Sequence, residues 1–343
     1  MVDEIVKAGE IIKNGGLVAF PTETVYGLGA DAFNAQAVQR IYSAKGRPGD
    51  NPLILHIANK EKFPELAHNP PSYAMKLFEK FSPGALTLVV KKNPSLPNWL
   101  GGHPDRSTDT IGIRMPANPI AQAIIMFSEC VVAAPSANKA GTPSPTSANH
   151  VRDDFSPEEI DLVVDGGNVT LGLESTVVDS TGEIPVILRP GSITAEMISQ
   201  ALGMEISEPT NIQMISNHCK NAPKSPGMKY KHYAPKAPMT IISGSPENVT
   251  AHILKECKQQ EMNGNTVGVL LSSVKFPYSP ENTKTLQLGN SHESAAQNLF
   301  AHLRQFDKLG VTEIYAEAVS DTGIGVAVMD RMRKAAEGRI VYV

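Results

Sequence analysis

Lys45-Gly46-Arg47-Pro48-Gly49-Asp50-Asn51-Pro52-Leu53-Ile54-Leu55-His56-Ile57 sets the pattern that the rest of the chain repeats. Apolar residues at helical spacing precede it (Ala37, Val38, Ile41, Tyr42), and its last five residues read as a buried strand. Between helix and strand lies a loop with two glycines, two prolines and two cations. In an extended loop, side chains two apart point the same way. Lys45 and Arg47 are therefore expected to reach one anion together, the lysine as a point charge and the arginine as a planar fork. Local residues leave a second reading open, a solvated turn between two elements.

Working outward, Ile5, Ala8, Ile11 and Ile12 mark a helix that stops at Gly15-Gly16. Leu17–Phe20 reads as a short buried strand, and Pro21–Asp31 reads as the loop that leaves it. That loop carries Thr22, Glu23, Thr24 and Tyr26, with glycines that permit close backbone approach. Further strands are expected at Leu86–Val90, Thr110–Pro116, Val131–Ala134, Leu162–Asp165, Ser175–Asp179 and Val186–Arg189. Helices are expected near 60–66, 71–81 and 118–127, and from the N-cap Thr194 to Leu202. Alternation puts Thr110, Gly112 and Arg114 on one face of their strand and Ile111 and Ile113 on the other. His56 inside its apolar strand, taken alone, reads more readily as a satisfied core histidine than as a site residue.

At 343 residues, two domains are the default. Residues 1–206 hold sixteen basic and twenty-three acidic residues, a net −7. Residues 207–238 are net +4, and 239–343 are net −1. The acidic body argues against broad non-specific nucleic-acid binding. Cys130, Cys219 and Cys257 have no paired spacing, so neither a disulfide framework nor a zinc site is expected, and a reducing cytoplasm fits. No apolar run reaches the length of a membrane span. A Gly-x-x-x-x-Gly-Lys-Ser/Thr motif is missing, which excludes a P-loop ATPase.

From 207 to 238 the periodicity fails, and the stretch reads as a long linker. Its interior alternates cations with aromatics (Met228-Lys229-Tyr230-Lys231-His232-Tyr233), a pattern that suits a nucleotide but also suits a mere tether. Residues 239–343 alternate strands (239–242, 266–271, 285–288, 313–315) with helices (247–259, 292–309, and one ending at 336), so a small, largely parallel α/β domain is expected. Gly323-Ile324-Gly325 before the last helix is an incomplete nucleotide turn, read as tight packing.

Pooled, the strand ends offer four cations (Lys45, Arg47, Arg114, Arg189) and many hydroxyls, a set suited to a polyphosphate rather than to acyl transfer. The motifs Pro21–Leu28, Lys45-x-Arg47, Thr110–Arg114, Pro135–Asn138 and Glu174–Asp179 together resemble the YrdC-like threonylcarbamoyl-AMP synthases. The linker Ser225–Pro235 and the C-terminal α/β domain resemble that family's two-domain form. The resemblance implies a YrdC-like twisted mixed sheet with helices (1–206), a linker that is also an active-site lid (207–238), and a Rossmann-like domain (239–343). The implied reaction joins L-threonine, bicarbonate or CO2 and ATP into threonylcarbamoyl-AMP and pyrophosphate. Mg2+ accompanies the ATP without a dedicated protein ligand set. A downstream transferase then modifies tRNA beside the anticodon, and direct tRNA binding is expected to be weak or indirect.

By motif, Lys45, Arg47 and Asn51 would hold phosphates, with Lys45 and Arg47 as the catalytic cations. Thr110, Ser136, Asn138, Ser144 and Arg189 would complete the ATP site, and Tyr230 or Tyr233 would close over it. Thr24, His56, Arg114 and Ser175 would hold threonine, with Arg114 taking its carboxylate. Lys231 stands where the motif is expected to carry an arginine. Two rivals are weighed. A non-catalytic RNA-binding module is opposed by the −7 body, and a hydrogenase-maturation carbamoyltransferase by the missing zinc-type cysteine motifs.

Overall fold

A computed structural model describes residues 2–206, 232–273, 276 and 282–343. It divides into two compact units. The first comprises Met1–Ala140, Pro145–Thr170 and Glu174–Tyr230, and the second comprises Gly141–Ser144, Leu171–Leu173 and Lys231–Val343. The expectation that all of 1–206 forms one domain thus meets two short excursions into the second unit. Expectations that fall on 207–231, Tyr230 and Lys231 among them, lie outside the described residues.

The first unit is built on a nine-stranded mixed sheet. In chain order its elements are α1 (Val2–Lys13), β1 (Val18–Pro21), β2 (Tyr26–Asp31), α2 (Ala35–Lys45), β3 (Ile54–His56), α3 (Lys62–Leu66), α4 (Ser72–Phe81), β4 (Leu86–Lys91), β5 (Thr110–Arg114), α5 (Pro119–Ser128), β6 (Val132–Ala133), α6 (Ala148–Asp154), β7 (Leu162–Val163), β8 (Thr176–Asp179), β9 (Val186–Arg189) and α7 (Ala195–Leu202). The strand order is β7-β1-β2-β6-β3-β5-β4-β8-β9. Residues 26–31, expected as loop, are strand β2, antiparallel to β1.

Each face of this sheet is covered differently. Leu28, Leu55, Ile111, Ile113, Leu88, Val178 and Ile187 point into a core shared with α2, α3, α4, α6 and α7. On the reverse face, Val18, Phe20, Val132 and Ala134 pack under Ala8 and Ile12 of α1 and Ala121, Ile124 and Ile125 of α5. That second core takes in residues of β1 and β6 but none from β5, β4, β8 or β9. Beyond it, the reverse face carries polar side chains.

The second unit has a five-stranded parallel sheet, as its alternation predicts. Its elements are β10 (Met239–Ser243), α8 (Pro246–Met262), β11 (Val267–Leu271), β12 (Thr283–Gln287), α9 (His292–Leu309), β13 (Glu313–Glu317), α10 (Ile324–Ala335) and β14 (Ile340–Tyr342), in the strand order β12-β11-β13-β10-β14. Each crossover is a helix or a long connection, as parallel pairing requires. A Cβ on Gly325 would lie 2.0 Å from Ser320 O, so the Gly-x-Gly turn is a packing device.

Candidate active site

Directly opposed residues in a sheet share a face. Register therefore strings Arg189, Val177, Thr87, Arg114, His56 and Val132 into one row across β9, β8, β4, β5, β3 and β6. Arg189 joins this row because of a bulge. Val178 faces Ile187 while Val177 faces Arg189, so β9 has one residue more than β8. Without that extra residue, Arg189 would share the core-facing side with Ile187; the bulge re-aims it to the reverse face.

Arg114 is the centre of the row. Its Nη2 donates to Glu23 Oε1 at 2.7 Å, Nη1 to Thr24 Oγ1 at 2.9 Å and Nε to Gly84 O at 3.2 Å. Glu23 Oε2 accepts from Ala117 N at 3.1 Å. Burial pushes the Glu23 carboxyl up, but the charge and hydrogen bond of Arg114 outweigh it and the net shift is downward. Thr24 Oγ1 also meets Thr22 Oγ1 at 2.8 Å. Beside Arg114, the His56 ring donates Nδ1–H to Ile54 O at 3.2 Å. Burial first, and then the Arg114 charge, lower its pKa to about 3, so the imidazole is neutral at pH 7.

Next along the row, Ser175 Oγ lies 2.7 Å from Thr87 Oγ1 and accepts from Arg189 Nη2 at 3.2 Å. Arg189 Nε donates to Ser175 O at 3.1 Å. Thr24, His56, Arg114, Ser175 and Arg189 are thus brought together, all buried. Thr110 stands at the start of β5, on the same face as Arg114, and its carbonyl accepts from Thr108 Oγ1 at 2.7 Å.

The Lys45 loop forms the second cluster. Asn34 caps α2, and Gly46 closes it in the left-handed region at φ 59°. Lys45 is therefore the last helical residue, and the extended alternation expected to aim Lys45 and Arg47 together does not exist here. Instead, buried Lys45 donates Nζ to Ser136 O and Asn138 O. Arg47 turns onto its own loop, Nε to Asn51 O at 3.0 Å and Nη2 to Pro52 O at 2.6 Å. Tyr42 Oη donates to Asn51 O at 3.0 Å. Asn51 Oδ1 is buried with no partner among the described residues, an acceptor waiting in the loop. Lys45, Arg47, Asn51, Ser136 and Asn138 thus form one assembly.

Ser144 is fully buried and belongs to the second unit, as does Tyr233. Tyr233 holds a left-handed backbone (φ 64°), and its ring packs 5.0 Å from that of Phe300. Tyr230 lies outside the described residues. Among the described residues no cluster of three His, Cys, Asp or Glu could hold a metal ion. Glu23 and Thr87 are not among the residues expected to bind substrate. The carboxylate inside Thr22-Glu23-Thr24 was a visible signal for the first; the second needs the register.

Residues 10–191 match the family model described as telomere recombination, the Sua5, YciO and YrdC group. Residues 193–337 match the C-terminal domain of threonylcarbamoyl-AMP synthase. The chain belongs to the threonylcarbamoyl-AMP synthase family. Within that family it is 44% identical to the enzyme of Pyrococcus abyssi over 336 residues, 98% of this chain and 95% of the relative. It is 44% identical to the enzyme of Bacillus subtilis over 339 residues, 98% of this chain and 94% of the relative. A crystal structure of P. abyssi Sua5 complexed with L-threonine superposes with a TM-score of 0.90 at 44% identity, covering 100% of this chain and 97% of that one. The two-domain form of the synthase family accounts for both sheets described above.

Proposed function

We propose that this chain is a nucleotidyltransferase that converts L-threonine, bicarbonate or CO2 and ATP into threonylcarbamoyl-AMP and pyrophosphate, in the cytoplasm, for modification of tRNA next to the anticodon. The observation that carries this reading is the buried row His56–Arg114–Thr87–Arg189, set on a sheet of the synthase family. The family's reaction brings a carbamate against a polyphosphate, and buried cations answer that charge.

Arg114 takes the threonine carboxylate, with Thr24, Ser175 and neutral His56 around the amino acid. A neutral imidazole adds a hydrogen-bonding partner without repelling the substrate ammonium. The threonine amine adds to CO2 as it loses a proton, giving a carbamate. One carbamate oxygen then attacks the α-phosphorus of ATP; the bond to the bridging oxygen breaks and pyrophosphate leaves. The chain's own work is alignment and neutralisation. Lys45, Arg47 and Asn51 take the phosphates. Thr110, Ser136, Asn138, Ser144 and Arg189 hold the remainder of the nucleotide, and the tyrosines Tyr230 and Tyr233 belong to the segment that excludes water. Mg2+ would accompany the ATP substrate and supply neutralising charge on its phosphates. The product passes to a downstream tRNA threonylcarbamoyl transferase.

Purified protein incubated with ATP, labelled bicarbonate and each amino acid in turn tests the reading. Pyrophosphate release and a labelled adenylate are expected with L-threonine. Release indifferent to the amino acid would overturn it.

A further inference from the structure

One face of α9 does more than complete the second unit. Ala296, Phe300, Arg304 and Asp307 follow one another at helical spacings of four, four and three, so they form a single stripe. Three separate pieces of chain lie against it. At the first turn, Gly172 (φ 80°) is so close that a Cβ there would fall 2.4 Å from both Ala296 O and Gln297 Cα. At the second, Phe300 receives the Tyr233 ring. At the third, buried Arg304 donates Nη2 to Pro143 O at 2.6 Å. At the last, Asp307 Oδ1 accepts from Lys236 N at 2.7 Å.

The Gly141–Ser144 loop depends on such outside help. Pro143 and Pro145 have no N–H, so the segment is poor in donors for bonding within itself. Its alternate carbonyls are taken from elsewhere: Gly141 O by Ala234 N at 3.0 Å and Pro143 O by Arg304. Pro145 O, in the first unit, is taken by Tyr26 N at 2.9 Å. Ser144 sits between the last two of these anchored carbonyls.

We propose that Arg304 is a positioning residue for the synthase reaction: through Pro143 it fixes the loop that carries Ser144. The inference rests on the reading that Ser144 serves the ATP site. Arg304 acts through the loop and not on a reacting atom. Arg304 acts through Ser144, which is assigned to the nucleotide; the threonine group is assigned to Arg114.

The test compares full-length wild type, Arg304→Gln and Arg304→Lys. Steady-state KM values for ATP and for threonine are measured, with amide exchange followed over residues 141–146. Arg304→Gln should raise the KM for ATP about tenfold, the loss of one charged hydrogen bond, with the KM for threonine within about twofold. Exchange at Thr142 and Ser144 should quicken while the strands of both sheets stay protected. Arg304→Lys, which keeps the charge and a donor, should recover part of the loss, and it carries the same comparison where the glutamine variant does not fold. An unchanged KM for ATP, or an equal rise for both substrates with exchange accelerated throughout, would overturn the proposal. Wild type that makes no threonylcarbamoyl-AMP would overturn the functional reading instead, and the exchange arm would still report whether Arg304 grips the loop.

Discussion

Arg114 Nη2 and Glu23 Oε1 lie 2.7 Å apart, with 5% and 11% of the two side chains exposed. A pair this buried costs desolvation, and its removal on one side leaves a stranded charge. Glu23→Ala should therefore lower unfolding stability by about 3 kcal/mol, read from urea denaturation. Glu23→Gln keeps an acceptor for Ala117 N or Arg114 and should lose less. Equal stability in all three proteins would show that the pair does not hold the loop 22–24 in place.

Lys45 braces two carbonyls of the loop after β6 and is assigned to phosphate. Lys45→Met retains most of the stem and removes the charge. Threonine-dependent pyrophosphate release should fall at least about a hundredfold, with the circular dichroism spectrum preserved. Arg47→Ala should also cut turnover, and it should raise proteolytic nicking between 47 and 52, because its guanidinium holds Asn51 O and Pro52 O. Normal turnover in both variants would remove the phosphate role.

His56 makes stability depend on pH in a defined direction. Its folded pKa is about 3, below the ordinary value of 6.5. The full contribution is present above about pH 6.5. As the pH falls from there toward 3, the unfolded chain binds a proton that the folded chain refuses, at about 1.4 kcal/mol per pH unit. Glu23, whose pKa is lowered from 4.5, adds its own loss only at more acid pH. His302 is lowered by burial as well and contributes in the same sense. Melting temperatures of wild type and His56→Asn, compared at pH 7 and pH 5, should converge as the pH falls. Parallel curves would assign the acid sensitivity elsewhere.

Ser175→Ala removes the oxygen shared by Thr87 and Arg189. A stability loss of about 1–2 kcal/mol is expected, and the KM for threonine should rise more than the KM for ATP. The reverse ordering would move Ser175 to the nucleotide.

Most of the architecture can be read from periodicity, and the exceptions have physical causes. Strand β2 is hidden because Gly27 and Gly29 interrupt its alternation; Phe20 lies against Gly29, where a Cβ would come within 2.5 Å of its ring. Helix α6 buries only Ala148 and Val151, too few to show a stripe. Strand β14 is a three-residue edge strand. In the site, residue type and strand end pointed to Arg114, and the family resemblance added His56 and Ser175. Their alignment in one row depends on register and on the bulge in β9, neither of which a single sequence displays. Arg47 turns onto its own loop because one left-handed glycine replaces the expected extended backbone.

The stripe on α9 also bears on how the protein is made. Residues 292–309 are synthesised long after 141–144 and 171–173. Until then those earlier segments lack the α9 face that they pack against. A chain cut short before α9 would thus lack the helix face that holds Gly172 and Pro143.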